Sequence, residues 1–418
     1  MKKILTRASI LITLCSLAAC GGGGGGGGSG ATAVAPTPTP TPTPTNSVPI
    51  VVDAGPFIGS QQLGTINLPF VSVTICTPGT SQCQTIDHVM VDTGSIGLRI
   101  VASALSASVN LPIATNGSAN ILECMQFVSG FSWGPVKSAD LKLGNQQVAG
   151  LPIQVIGDPL FSVPPTSCSN LGASLNSVST LGANGILGVG VFEYDCGAAC
   201  VQSSPPAVYF ACTGSSGCQP TSRTLAQQIP HPVTRFTGDN NGVVIDLPSV
   251  GDTGAASLNG SLIFGIGTQS NNGLGNARAL FLNSIGEFTT QYKNSLLTRS
   301  FIDSGSNGLF FLDNTIPVCA NNTNAPGFYC PTSTLMLSAI QQSQVDSGNV
   351  AVNFNIANTV TLLTNNSRND AFNNVGGSVP SLYFSSFDWG TPFFFGRRVF
   401  TAIEGRSTPG GVGPYVAY

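Results

Sequence analysis

The chain has 418 residues, 42% of them hydrophobic and only 8% charged, with a formal net charge of −3. No basic stripe is present, so nucleic acid is not an expected partner. The apolar content suffices for one large core or two.

In chain order, Lys2, Lys3 and Arg7 precede an apolar stretch from Ala8 to Ala19. That stretch is too short to span a membrane, and residues 1–19 read as a signal peptide. Leu17-Ala18-Ala19-Cys20 resembles a bacterial lipobox, which implies acylation of Cys20. Gly21 follows that Cys. By resemblance to Gram-negative lipoproteins, this points to the outer membrane, on its periplasmic or surface face. Glycines from 21 to 28 and Pro-Thr alternation up to Thr45 make residues 20–45 a tether, flexible at first and then extended.

Short apolar segments rich in β-branched residues follow, separated by turn signals. They are Phe70–Ile75, Val89–Val91, Leu151–Ile156, Gly242–Leu247, Ser261–Phe264 and Phe393–Phe395. Each has strand length, so the expected class is mostly β. Short helices are expected at Ala102–Leu105, Thr224–Gln228 and Thr334–Gln342. A proline-punctuated break around Gln228–Val233 divides the domain into lobes, 46–234 and 235–418.

Twelve cysteines are present. Setting aside Cys15 in the signal and Cys20 leaves an even set, which in an exported chain reads as disulfides. Cys76/Cys83, Cys196/Cys200, Cys212/Cys218 and Cys319/Cys330 are near neighbours, and Cys124/Cys168 would remain. Sequence alone does not fix this connectivity. The alternative for Cys196, Cys200, Cys212 and Cys218 is a metal site. Thiolate zinc belongs mostly to reducing compartments, so no metal is expected.

Two phrases are nearly the same. Val89 to Leu98 reads VMVDTGSIGL, and Ser300 to Leu309 reads SFIDSGSNGL. Each presents a carboxylate, Asp92 or Asp303, on a tight glycine turn after an apolar run. Asp252-Thr253-Gly254 lacks the apolar lead and reads as a hairpin turn, and Asp53-Ala54-Gly55 lacks the hydroxyl. An apolar-apolar-Gly segment follows each phrase at similar spacing: Ile186-Leu187-Gly188, then Phe394-Phe395-Gly396. His88 and His231 read as surface residues and suggest no nucleophilic triad.

On these motifs the chain resembles the pepsin-like aspartic peptidases, over most of residues 60–405. Ser261–Gly265 resembles the opening strand of that family's second lobe, and Pro392–Phe400 its closing strands. The resemblance implies a two-lobed β fold with its active-site cleft between the lobes. Each Asp loop would be crossed underneath by its apolar-apolar-Gly segment in a psi-shaped arrangement. It implies an aspartic endopeptidase in which Asp92 and Asp303 activate a water. Gly94 and Gly305 would supply N–H groups, Thr93 and Ser304 would interlock the loops, and Ser95 and Ser306 would bond the outer carboxylate oxygens. It also implies a β-hairpin flap. The best match runs from Phe127 through Gly130 and Trp133, placing Phe127 where the family usually has Tyr. That tyrosine's Trp partner falls on Arg99, which could stack on an aromatic face. The expected partners are a peptide or protein substrate and the membrane through the N-terminal lipid. No cofactor and a monomeric state are expected. An inactive binding or surface protein on the same fold is the alternative.

Overall fold

The computed structural model describes residues 46–215, 217–379 and 384–418. The expected signal peptide, Cys20 and the expected tether lie outside them. Strand β1 (Ser47–Val52) alternates exposed and buried residues, and β2 (Pro69–Cys76) buries Phe70, Val71, Val73 and Ile75 while Ser72 faces out. This period of two marks sheets packed on one face. β3 (Cys83–Asp92) starts exposed and ends in the buried run Val89-Met90-Val91-Asp92. β4 (Ile96–Val101) is buried throughout, Arg99 included. β5 (Ala119–Phe127) and β6 (Gly130–Leu143) form a hairpin, and β7 (Gln146–Ile156) returns along β6.

β8 (Gly185–Val189) closes the first half. It runs parallel to β3, with Leu187 opposite Val91, and antiparallel to β4, with Gly188 opposite Gly97. A strand threaded between the two arms of an Asp loop is the psi arrangement. β9 (Gly242–Leu247) and β10 (Leu258–Phe264) open the second half, and β10 pairs with β1. One long sheet therefore continues from the first half into the second.

The second half repeats the device with β11 (Ser295–Ile302), β12 (Leu309–Phe311) and β13 (Phe387–Trp389). β13 is parallel to β11, with Ile302 opposite Trp389, and antiparallel to β12, with Leu309 opposite Trp389. The psi segment here is thus Phe387-Asp388-Trp389-Gly390, which corrects the expected Phe394-Phe395-Gly396. Pro392 lies in the first turn of a 3-10 segment over Thr391–Phe393, and the phenylalanines after it are core residues beside the segment rather than a strand. Stacked rings hold β13 in place: Phe387 lies 3.9 Å from Trp389 and 4.6 Å from Phe311, centroid to centroid. β14 (Arg397–Ala402) then joins the long sheet beside β9.

The fold is mostly β. The expected helix over Thr334–Gln342 is instead strand Leu335–Gln342, because its pairing with Asn349–Ile356 buries alternate residues. The other two helix expectations shrink to 3-10 turns at Ala102–Ala104 and Leu225–Gln227. All five disulfides pair as expected, Cys76–Cys83, Cys124–Cys168, Cys196–Cys200, Cys212–Cys218 and Cys319–Cys330. The four cysteines weighed as metal ligands are therefore in disulfides. Cys124–Cys168 ties the β5–β6 hairpin to the turn at Thr166–Ser169.

Candidate active site

The two Asp loops meet head to head. Thr93 Oγ1 donates to Ile302 O at 3.0 Å and accepts from Ser304 N at 2.9 Å. Ser304 Oγ donates to Val91 O at 2.7 Å and accepts from Thr93 N at 3.1 Å. Each hydroxyl both donates and accepts across the interface, so neither loop moves without breaking bonds to the other. Both residues are buried. The glycines set the spacing: a Cβ on Gly94 would lie 2.7 Å from Asp303 Cγ, and one on Gly305 would lie 2.8 Å from Asp92 Oδ1. Any side chain at either position would strike the opposite carboxylate.

Each carboxylate is held the same way on its own loop. Gly94 N donates to Asp92 Oδ1 and Gly305 N to Asp303 Oδ1, both at 2.7 Å. Ser95 Oγ donates to Asp92 Oδ2 at 2.5 Å, and Ser306 Oγ lies 3.0 Å from Asp303 Oδ2. Burial pushes the Asp303 carboxyl well above its ordinary range, and the neighbouring Asp92 carboxylate adds to the push. Two close carboxyls cannot both ionise cheaply, so such a pair retains a shared proton.

Asp388 was missed in the sequence because it interrupts the apolar-apolar-Gly pattern. Its only available signal was its register, two residues before Gly390. A Cβ on Gly390 would meet Gly308 O at 2.2 Å, and one on Gly188 would meet Ile96 N at 2.7 Å.

The pair lies in a cleft of about 1000 Å³. Phe127 lines it, paired with Gly130 across the hairpin tip Val128-Ser129. Trp133 does not cover the cleft. It is buried in a separate cluster with Phe210 and Cys168, and its Nε1 donates to Phe161 O at 2.8 Å. Strand alternation explains this, since Trp133 stands opposite Cys124 and shares that residue's core-facing side.

Arg99 also departs from expectation. Among the described residues it stacks on no aromatic ring; it is fully buried, 2.7 Å from Glu123 and 3.6 Å from Asp195. Its Nη1 donates to Ile96 O at 2.5 Å. Tyr209 donates to Asp195. One cation thus connects the Asp92 loop to Glu123 on the hairpin strand β5, where the resembled family usually pairs a Tyr with a Trp. Burial also keeps Asp195 well above the ordinary carboxylate range, with Glu123 adding to the push.

The histidines are less exposed than expected. His88 is partly buried, 3.3 Å from Asp53. His231 is fully buried, and its Nδ1 accepts from Val233 N at 3.2 Å. Burial lowers its pKa to about 4. His231 caps the 3-10 turn Pro232–Arg235, with its ring against that turn's backbone. Among the described residues, no group of three or more His, Cys, Asp or Glu is arranged to hold a metal ion.

Residues 42–418 match the family described as Protein of unknown function (DUF3443). The chain belongs to that family. A comparison with curated protein sequences finds no match. Among solved structures, this DUF3443 chain is similar to an aspartic proteinase from Irpex lacteus, with a TM-score of 0.51 and 17% identity. The likeness covers 89% of this chain and 96% of that one. It shows the fold: mostly β, of the two-lobed pepsin-like type.

Proposed function

We propose that this protein is an aspartic endopeptidase, exported and anchored by a lipid on Cys20. One observation carries the reading: two carboxylates on interlocked, near-symmetric loops approach each other in a cleft of about 1000 Å³. Asp92 and Asp303 would share one proton. The ionised member takes a proton from a water lying between them, and the protonated member donates to the scissile carbonyl oxygen. The water attacks to give a tetrahedral diol without a covalent enzyme intermediate. Gly94 and Gly305 N–H groups and the Ser95 and Ser306 hydroxyls hold both carboxyls in register through that step.

The cleft surroundings support an extended peptide as ligand. Leu68, Met125, Phe127, Leu175, Phe192 and Ile285 line it, and no Lys, Arg or His does among the described residues. The hairpin above it can offer main-chain bonds to such a peptide. Five disulfides favour an oxidising, exported setting. No helix among the described residues is long and apolar enough to cross a membrane.

Digestion of an unbiased peptide library from acid to neutral pH tests the reading, run beside Asp92→Asn and a statine-type transition-state mimic. Cleavage that the mimic blocks and Asp92→Asn lacks is expected. One feature favours the alternative, a peptide-holding protein without turnover: the Phe127 side chain at the hairpin has no group to hydrogen-bond substrate. Peptide binding that survives Asp92→Asn, with no cleavage at any pH, would decide for it.

A further inference from the structure

A third carboxyl reaches the pair from the second psi segment. Asp388 is only 6% exposed. Its Oδ2 lies 2.6 Å from Ser306 Oγ, the same oxygen that lies 3.0 Å from Asp303 Oδ2. A hydroxyl has a single proton and can donate to only one of these carboxyls. The other short contact must be supplied with a proton by a carboxyl.

The surroundings decide which one. Asp303 Oδ1 accepts a backbone N–H from Gly305, and the proton Asp303 holds is the one it shares with Asp92, so it is not the donor to Ser306. Asp388 Oδ1 has no hydrogen-bond partner among the described residues. The charged groups facing Asp388 are Asp92 and Asp303. On β11, Arg299 is half-exposed and engaged with Glu287, and β12 is Leu-Phe-Phe with nothing to titrate. An ionised Asp388 would be a buried charge beside like charges, with no cation among the described residues to offset it.

We propose that Asp388 is a positioning residue whose carboxyl stays protonated, donates to Ser306 Oγ, and so directs the Ser306 hydroxyl onto Asp303 Oδ2. The three-carboxyl cluster then carries one negative charge and two protons. Burial raises Asp388 to about 8. Above that pH its proton leaves and the Ser306 hydroxyl is contested by two carboxylates, so Asp303 loses its orientation. The kinetic consequence rests on the peptidase reading, but the protonation does not.

Two measurements on the full chain separate these. Isotope-edited infrared difference spectra of Asp-labelled protein should show one more protonated carboxyl in the wild type than in Asp388→Asn. That extra band should disappear as pH rises through about 8. Identical acid bands in the two proteins overturn the proposal. In turnover, Asp388→Ala should lower kcat about tenfold with little change in KM, since an orienting bond is lost rather than a substrate contact. Ser306→Ala should cost the same, and the double variant no more. Asp388→Asn keeps an N–H donor for Ser306 and should move the alkaline limb of the pH profile upward. Wild-type kcat in Asp388→Ala together with an unmoved alkaline limb in Asp388→Asn also overturns it. If the wild type cuts no peptide, the peptidase reading fails, and the infrared bands still decide the state of Asp388.

Discussion

The two psi units share a scaffold and differ in where they put charge. In the first, the threading segment is apolar, and Ile186 stands opposite the buried cation Arg99. In the second the polarity is exchanged, and Asp388 on the threading segment stands opposite Phe310. Interlocked hydroxyls, glycine contacts and carboxylate bonds match between the halves, because both loops must pack to the same short distance. The difference shows that geometry is shared while electrostatics is assigned separately: a cation braces the hairpin side, and an acid lies beside Asp303.

The sharpest way to break the symmetry is at the pair itself. Asp92→Asn or Asp303→Asn should each lower turnover by about 10⁴-fold, because one carboxyl cannot both deprotonate water and donate to the carbonyl. Initial rates on a cleaved library peptide check this.

Next comes the first unit's charge. Arg99→Met should destabilise the fold by about 3–5 kcal/mol, measured by urea unfolding, since it leaves Glu123 buried without its cation. Replacing Phe310, the equivalent position in the second unit, with Met should cost less than about 1.5 kcal/mol.

The second unit's charge gives a pH signature. Asp388 holds a proton in the native state that the unfolded chain gives up near pH 4. The native state therefore binds more protons between about 4 and 8, and its contribution to stability falls as pH rises through that window. Asp388→Asn should raise stability near pH 8 by a few kcal/mol at most and flatten the profile. His231 acts with the opposite sign. It is buried neutral with a pKa of about 4, so stability is lost as pH falls from about 6.5 toward 4. His231→Asn should weaken that acid-side loss in thermal melts across pH.

The smallest effect tests the shared part. Exchanging the grip residues, Thr93→Ser with Ser304→Thr, keeps both hydroxyls and should change stability by less than about 0.5 kcal/mol.

The floor of this site was legible in the sequence because its chemistry needs fixed residue types at fixed offsets. The Asp carboxyls and the neighbouring hydroxyls make bonds that few other side chains can, and Gly94 and Gly305 leave space that no side chain would. The local disulfides were legible for a similar reason, since short loops leave few partners. The second psi segment was not, because Asp388 breaks the apolar pattern and the neighbouring phenylalanine run imitates it. Trp133, Arg99 and His231 were misplaced because burial of an amphipathic or charged side chain depends on partners distant in sequence. Arg99 meets Glu123 only after β4 and the β5–β6 hairpin pack together, and no local spacing announces that pairing.

The central claim is that Asp92 and Asp303 form one proton-sharing pair that cleaves peptides. Digesting a peptide library at several pH values with the wild type, Asp92→Asn and Asp303→Asn tests it most directly. The account predicts cleavage by the wild type alone, blocked by a statine-type mimic. Cleavage retained in both single variants would contradict it.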